Sequence, residues 1–173
     1  MRDLELRMYF FVAYNLSPIQ QGIQAGHCVL EYVYEHGDTG LYAEFREYWK
    51  TWVILNGGTT RDSDDVEKMG SLNLIEIELG KMEIPHSVFH EPDLNDALTA
   101  VCFLCDERVF NHKKYQHWRE YLESNVGNIH NLSNQSDDLL AIRFSDVYSR
   151  WVDLIGGEEN VFLKNLIRDK RLA

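Results

Sequence analysis

The sequence predicts an α/β core, a mixed four-stranded sheet with helices packed on it, followed by an α-helical extension. Three observations lead there. Residues 1–110 alternate strand-like and helix-like hydropathy, residues 111–173 carry helical patterns joined by a polar stretch, and the charge divides at the same place. Up to Phe110 there are 8 basic and 19 acidic side chains, and beyond it 9 of each, so the whole net charge of -11 belongs to the first part. The expected organisation is a core over 1–110 and a helical extension over 111–173.

Taken in order, residues 8–14 (MYFFVAY) form an unbroken apolar run, which marks a strand covered on both faces. A helix follows from Pro18 to about His36, because Ser17 can cap it, Pro18 suits a first turn and Gly37 stops it. A second helix fits residues 42–49, and a β-branched strand fits 51–55. Gly57-Gly58-Thr59-Thr60 lacks the lysine and spacing of a phosphate-binding loop and reads as a turn into a mostly helical stretch over 64–82. Strands at 87–90 and 98–104 complete a β-α-α-β-α-β-β order. In the extension, a helix ends over 117–124, an Asn- and Ser-rich loop spans 127–136, a helix runs over 137–155 to Gly156-Gly157, and a last helix covers 161–167.

Composition excludes several function classes. A chain of 173 residues with 45% hydrophobic content can bury a core of ordinary size. A net charge of -11 argues against a broad cationic surface for bare nucleic acid and against an anionic membrane. Cys28, Cys102 and Cys105 are odd in number and sit among apolar residues, so they read as core residues of a cytoplasmic protein rather than a disulfide scaffold. The first apolar run is too short and too acidic at its start for a secretory signal, and no segment approaches a membrane span.

Two stretches carry chemistry. On the first helix Gln20, Gln24, His27 and Glu31 share one polar face, opposite Ala25, Cys28, Val29, Tyr32 and Val33, while Gly22 and Gly26 are expected to let the helix approach the sheet closely. From pattern alone this polar face reads first as a solvated surface, as on most amphipathic helices. The second stretch is 86–103, where Glu91, Asp93, Asn95 and Asp96 crowd the connection between two strands, as proton-transfer candidates or as ordinary turn residues. Cys102 and Cys105 have CxxC spacing but belong to one strand, and a metal cluster of His27, His86, His90 and Glu91 is the lesser alternative; no metal or cofactor is expected.

The helix carrying Gly22-Ile23-Gln24-Ala25-Gly26-His27-Cys28, with Glu91-Pro92-Asp93 leading into Leu98-Thr99-Ala100-Val101, resembles the type II peptidyl-tRNA hydrolase family over about residues 7–105, most closely its peptidyl-tRNA hydrolase domain-containing and phage-encoded branches. The resemblance implies that family's fold and a metal-free hydrolysis of the ester between a peptide or aminoacyl group and tRNA. Gln24 matches the motif glutamine, His27 the motif histidine and Thr99 the strand threonine. The family lysine falls on Gln20, and the loop aspartate on Glu91 or, shifted by two residues, on Asp93. Glu91 or Asp93 would then activate the water, with His27 as alternative base, while Gln24 and Thr99 supply hydrogen bonds to the oxyanion or ribose. Gln20 and Asn95 would bind substrate.

The resemblance makes tRNA the expected partner. Lys113, Lys114, Lys164, Arg168, Lys170 and Arg171 could supply cationic surface or pair with the acidic core. The rival reading is a catalytically silent module of the same fold that engages a protein through its acidic core, with the extension as a possible partner or homodimer interface.

Overall fold

In a computed structural model that describes residues 4–127, 132 and 134–173, contacts divide the chain into two compact units. The first comprises Met1–Asp106 with Asp169–Ala173, the second Glu107–Arg168.

The first unit is an α/β fold on a four-stranded mixed sheet in the order β2-β1-β4-β3. Its strands are β1 (Leu6–Ala13), β2 (Thr51–Gly58), β3 (His86–Glu91) and β4 (Ala97–Asp106). β1 pairs parallel with β2 and antiparallel with β4, and β3 pairs antiparallel with β4, so β1, β2 and β3 all end on the same side of the sheet. The central pair is apolar on both faces, as residues 8–14 require. Met8, Phe10, Val12, Ala100, Cys102 and Leu104 pack with Ala25, Cys28 and Tyr32 of α1 (Pro18–His36). On alternate positions Tyr9 and Phe11 stack on Phe103, at 6.0 and 6.1 Å between centroids. Burying each such side chain contributes about 1.5–3 kcal/mol.

α1 begins in a capping box in which the Ser17 hydroxyl accepts from the Gln20 amide and the Gln20 side chain accepts from Ser17. α2 (Gly40–Glu44) runs into a π turn at Phe45–Trp49, covering the expected second helix. The stretch expected to be helical from 64 to 82 is helical later and for less of its length: a single 3-10 turn at Val66–Lys68 precedes α3 (Ser71–Lys81). The reason is local. Asn73 accepts from the Arg61 amide and donates to Asp62, and Thr59 takes the Ser71 and Leu72 amides, so residues 59–70 fold back onto the helix start instead of extending it. Gly58 makes this possible, since it sits at φ +83 with Ser71 Oγ where a Cβ would stand.

Residues 169–173 return to the sheet. The Asn56 amide donates to Arg171 O at 2.9 Å and the Ala173 amide to Ile54 O at 3.1 Å, which covers the exposed edge of β2.

The second unit holds α4 (Glu107–Phe110), α5 (Trp118–Val126), α6 (Asp137–Arg143), α7 (Ser145–Ile155) and α8 (Glu158–Ile167). The one helix expected over 137–155 is two, broken at Phe144, whose φ of -117 and ψ of 45 leave the helical region. The break lets Leu140 and Trp151 enter one core with Trp118 and Leu122. Trp118 lies edge-on to Tyr148 at 5.0 Å, and Trp151 Nε1 donates to Gln116 O at 3.0 Å. Of the expected loop over 127–136, residues 128–131 and 133 lie outside the described residues.

Lys164, expected among the chain's surface cations, is instead fully buried. Its Nζ donates to the carbonyls of Arg108, Val109 and Tyr115 at 3.2, 3.3 and 2.8 Å and lies 3.4 Å from His112 Nδ1. The ammonium thus satisfies carbonyls that the short helix α4 leaves open. Burial holds its pKa down at about 8.

Candidate functional site

The site is built where β3 ends, β4 begins and α1 crosses them. Pairing of β3 with β4 slips there: Phe89 faces Ala100 and His90 faces Leu98, leaving Thr99 as the extra residue of a β-bulge. A bulge turns a side chain away from strict alternation. Thr99 would otherwise share the face of Val101 and Phe103, yet its hydroxyl reaches Gln24 Oε1 of α1 at 2.9 Å. The same hydroxyl lies 3.1 Å from Phe89 O, at the slip.

Gln24 continues the chain of bonds. Its Nε2 donates to Glu91 Oε2 at 2.6 Å, a charge-assisted bond between residues 67 apart in sequence. The amide can face only one way, because its oxygen set against the carboxylate would repel it. Glu91 Oε1 also takes a long bond from the Asp93 amide at 3.5 Å. Thr99 and Gln24 are 1% and 6% exposed, whereas Glu91 is half-buried. The buried pair therefore fixes the half-buried carboxylate. This differs from the expected polar face, in which Gln24 shared solvent with Gln20 and Glu31. It also differs from direct contact of Gln24 and Thr99 with substrate: their bonds are internal.

His27 lies one turn beyond Gln24, exposed, with its ring stacked on Phe89 at 4.7 Å and 19°. Phe89 escaped the sequence reading; an aromatic two residues before the acid, on the strand facing α1, was its signal. Asp93 is exposed in the 3-10 turn Pro92–Leu94, and Asn95 and Asp96 occupy the left-handed region at φ 55. These are turn positions that Asn and Asp tolerate. Gln20 is committed to the helix cap.

The expected close approach at Gly22 and Gly26 is not what these glycines provide, since a Cβ at either would meet nothing within 4 Å. The helix is seated by Ala25 and Cys28, both fully buried, with Cys28 Sγ directed to Ser87 O at 3.2 Å. All three cysteines are free and buried, and the hydrogen-bonded Cys102 thiol together with burial raises the Cys28 pKa. The histidines of the metal alternative are engaged separately: His86 with Ile84 O, His90 with Asp96 O, His27 with Phe89. Among the described residues no three His, Cys, Asp or Glu side chains gather as a metal site, and no helix is long and apolar enough to cross a membrane.

Neither a protein-family model nor a curated protein matches the sequence.

A second feature shares the carboxyl ends of the strands. Asn56, Gly57, Gly58 and Ser71 line an open cleft of about 290 Å³ with Asp169, Lys170 and Arg171. Gly58 pairs with Ala13 at the end of β1, and Val12 pairs with Ala100 beside Thr99, so this cleft and Glu91 occupy one end of the sheet. Carboxyl ends of strands are where open α/β sheets bind ligands.

Proposed function

We propose that the first unit is a type II peptidyl-tRNA hydrolase-like esterase that cleaves the ester between a peptide or aminoacyl group and the 3′ ribose of tRNA. The observation that carries this reading is the Thr99–Gln24–Glu91 relay. Three residues singled out by the resemblance, 67 and 75 positions apart for its two links, form one hydrogen-bonded chain ending in an accessible carboxylate.

In this reading Glu91 accepts a proton from water as its oxygen bonds to the ester carbonyl carbon. The tetrahedral intermediate then expels the ribose 3′ oxygen, which takes a proton, giving a free carboxylic acid and a tRNA 3′ hydroxyl. Gln24 and Thr99 are positioning residues that hold the carboxylate in one orientation, which matters because small misplacement of a base is costly. Exposed His27 supplies the proton to the ribose oxygen. Lys170 and Arg171 give the acidic chain a cationic edge at the site's end of the sheet, suited to tRNA phosphates.

One observation favours a second reading, a binding module without catalysis: Gln20, at the family lysine position, is tied into the Ser17 cap. Hydrolysis of N-acetyl-aminoacyl-tRNA by wild type and by Glu91→Gln decides between them. Turnover abolished by the substitution supports the esterase, and no turnover by folded wild-type protein leaves the binding module.

A further inference from the structure

α1 buries one face against the sheet, but the opposite side is also apolar. Ile19 is 77% exposed, Ile23 51%, Leu30 65%, Val33 38% and Tyr34 88%. At about 100° per residue these five side chains fall within roughly 100° of one another, in a sector that contains no charged residue. Gly26 lies in the same sector and Gly22 at its border, with nothing within 4 Å of an added Cβ at either. The stripe follows most of a 19-residue helix, a length of about 28 Å. Scattered apolar side chains on a surface are ordinary, whereas a continuous stripe of this size marks an interface.

We infer that this stripe is a homodimer interface in which α1 of one copy packs antiparallel on α1 of a second copy. Three features choose a second copy as the occupant. The stripe is self-complementary about its midpoint: a two-fold axis near Gly26 sets Ile19 against Tyr34 of the second copy and Ile23 against its Leu30, the reciprocal pairing of an isologous contact. Gly26 stands where the helices cross, and its open space admits the other backbone closely. The side chains present on the order of 500 Å² per copy, so the pair reaches about 1,000 Å², where specific interfaces begin. A partner recognised through charge would find no charge here to read.

Each copy carries a net charge of -11, so the two repel at long range. Screening weakens that repulsion while leaving apolar contact intact. The dimer therefore tightens as salt is added, the opposite of an interface built on ion pairs.

Sedimentation equilibrium of the full chain at about 0.05 M and about 0.5 M salt measures this. Expected is a monomer–dimer equilibrium in the micromolar range that tightens at least several-fold with salt. Leu30→Glu, at an exposed position, should be monomeric with an unchanged circular dichroism spectrum. A wild-type chain that stays monomeric at both salts, or a Leu30→Glu variant that dimerises as tightly as wild type, would overturn the proposal. Cross-linking fixes the orientation. Under mild oxidation Gly26→Cys should form a disulfide-linked dimer by itself, whereas Ile19→Cys should do so only when mixed with Tyr34→Cys; efficient self-linking of Ile19→Cys contradicts the antiparallel arrangement. The native cysteines are buried and stay silent. Ester hydrolysis is not read in any of these arms, so their failure and that of the proposed activity are separate.

Discussion

Gln24 Nε2 donates to Glu91 Oε2 at 2.6 Å, and the other end of the same amide accepts from Thr99 at 2.9 Å, so one buried side chain fixes an accessible carboxylate. Replacing the amide by an acid inverts this relationship. Gln24→Glu sets two carboxylates side by side, and their repulsion raises one pKa. The acid limb of the pH–rate profile should move upward by about one unit or more with the fold intact. Gln24→Leu should instead lower kcat by roughly 10-fold or more with less effect on KM, as expected of a lost positioning contact. An unchanged profile for Gln24→Glu would mean that Glu91 is not the base of the reaction.

Thr99→Val keeps the shape and removes the hydroxyl, leaving Gln24 Oε1 buried without its donor. A destabilisation of about 1–3 kcal/mol is expected, read by urea titration, with a fall in kcat in the same direction as Gln24→Leu.

Lys164 makes stability depend on alkaline pH. Its pKa lies near 8 in the folded chain against an ordinary 10.5, so between those values the unfolded chain holds the proton and the folded chain does not. Stability therefore rises with pH from about 8. The buried Cys28 and Cys105 thiols, both raised above an ordinary 9.0, oppose this from about pH 9, and the buried Tyr9 hydroxyl, pushed up to about 12, adds to the opposition above its ordinary 10.0. Denaturant midpoints between pH 8 and 9 should climb for wild type and stay flatter for Lys164→Met.

His117 acts on the acid side. Burial, the Lys164 ammonium and the stacked His112 ring, 4.4 Å away, push its pKa down to about 4. The unfolded chain takes up a proton near 6.5, the folded chain only near 4, so stability present above 6.5 is lost as pH falls through that window. His117→Asn retains an N-cap acceptor for α5 and does not titrate, so its melting temperature should fall less between pH 6.5 and 4.

Gly58→Ala tests the turn that carries the cleft. A Cβ at φ +83 meets Ser71 Oγ, and a cost of about 1–3 kcal/mol is expected from strain and displaced hydrogen bonds. Gly40→Ala, in open space at the start of α2, should show no such loss in a thermal melt.

Strands and helices were legible wherever one local signal governed them. The 8–14 run became the central strand because it is apolar at every position, and α1 began at its Ser17-Pro18 signal. The readings that failed depended on distant partners. Hydropathy over 64–82 could not register that Asn73 would be taken by Arg61 and Asp62, and the pattern over 137–155 could not register the break at Phe144. Gln24 looked solvated because glutamine usually is; only a carboxylate and a hydroxyl arriving from β3 and β4 make it a buried residue. Lys164 looked like a surface cation for the same reason, since the carbonyls that hold it come from 49 to 56 residues away. The apolar outer stripe of α1 escaped the sequence reading, which set Val33 with the core face although it is exposed and assigned Ile19, Ile23 and Leu30 to neither face.

The measurement that bears most directly on the central claim is release of the acyl group from N-acetyl-aminoacyl-tRNA by the wild-type chain, beside Glu91→Ala, Asp93→Ala and His27→Ala. The account predicts turnover that Glu91→Ala lowers by roughly 100-fold or more, that His27→Ala lowers less, and that Asp93→Ala largely retains. Turnover that survives Glu91→Ala, or a folded wild-type chain with none above buffer, contradicts it.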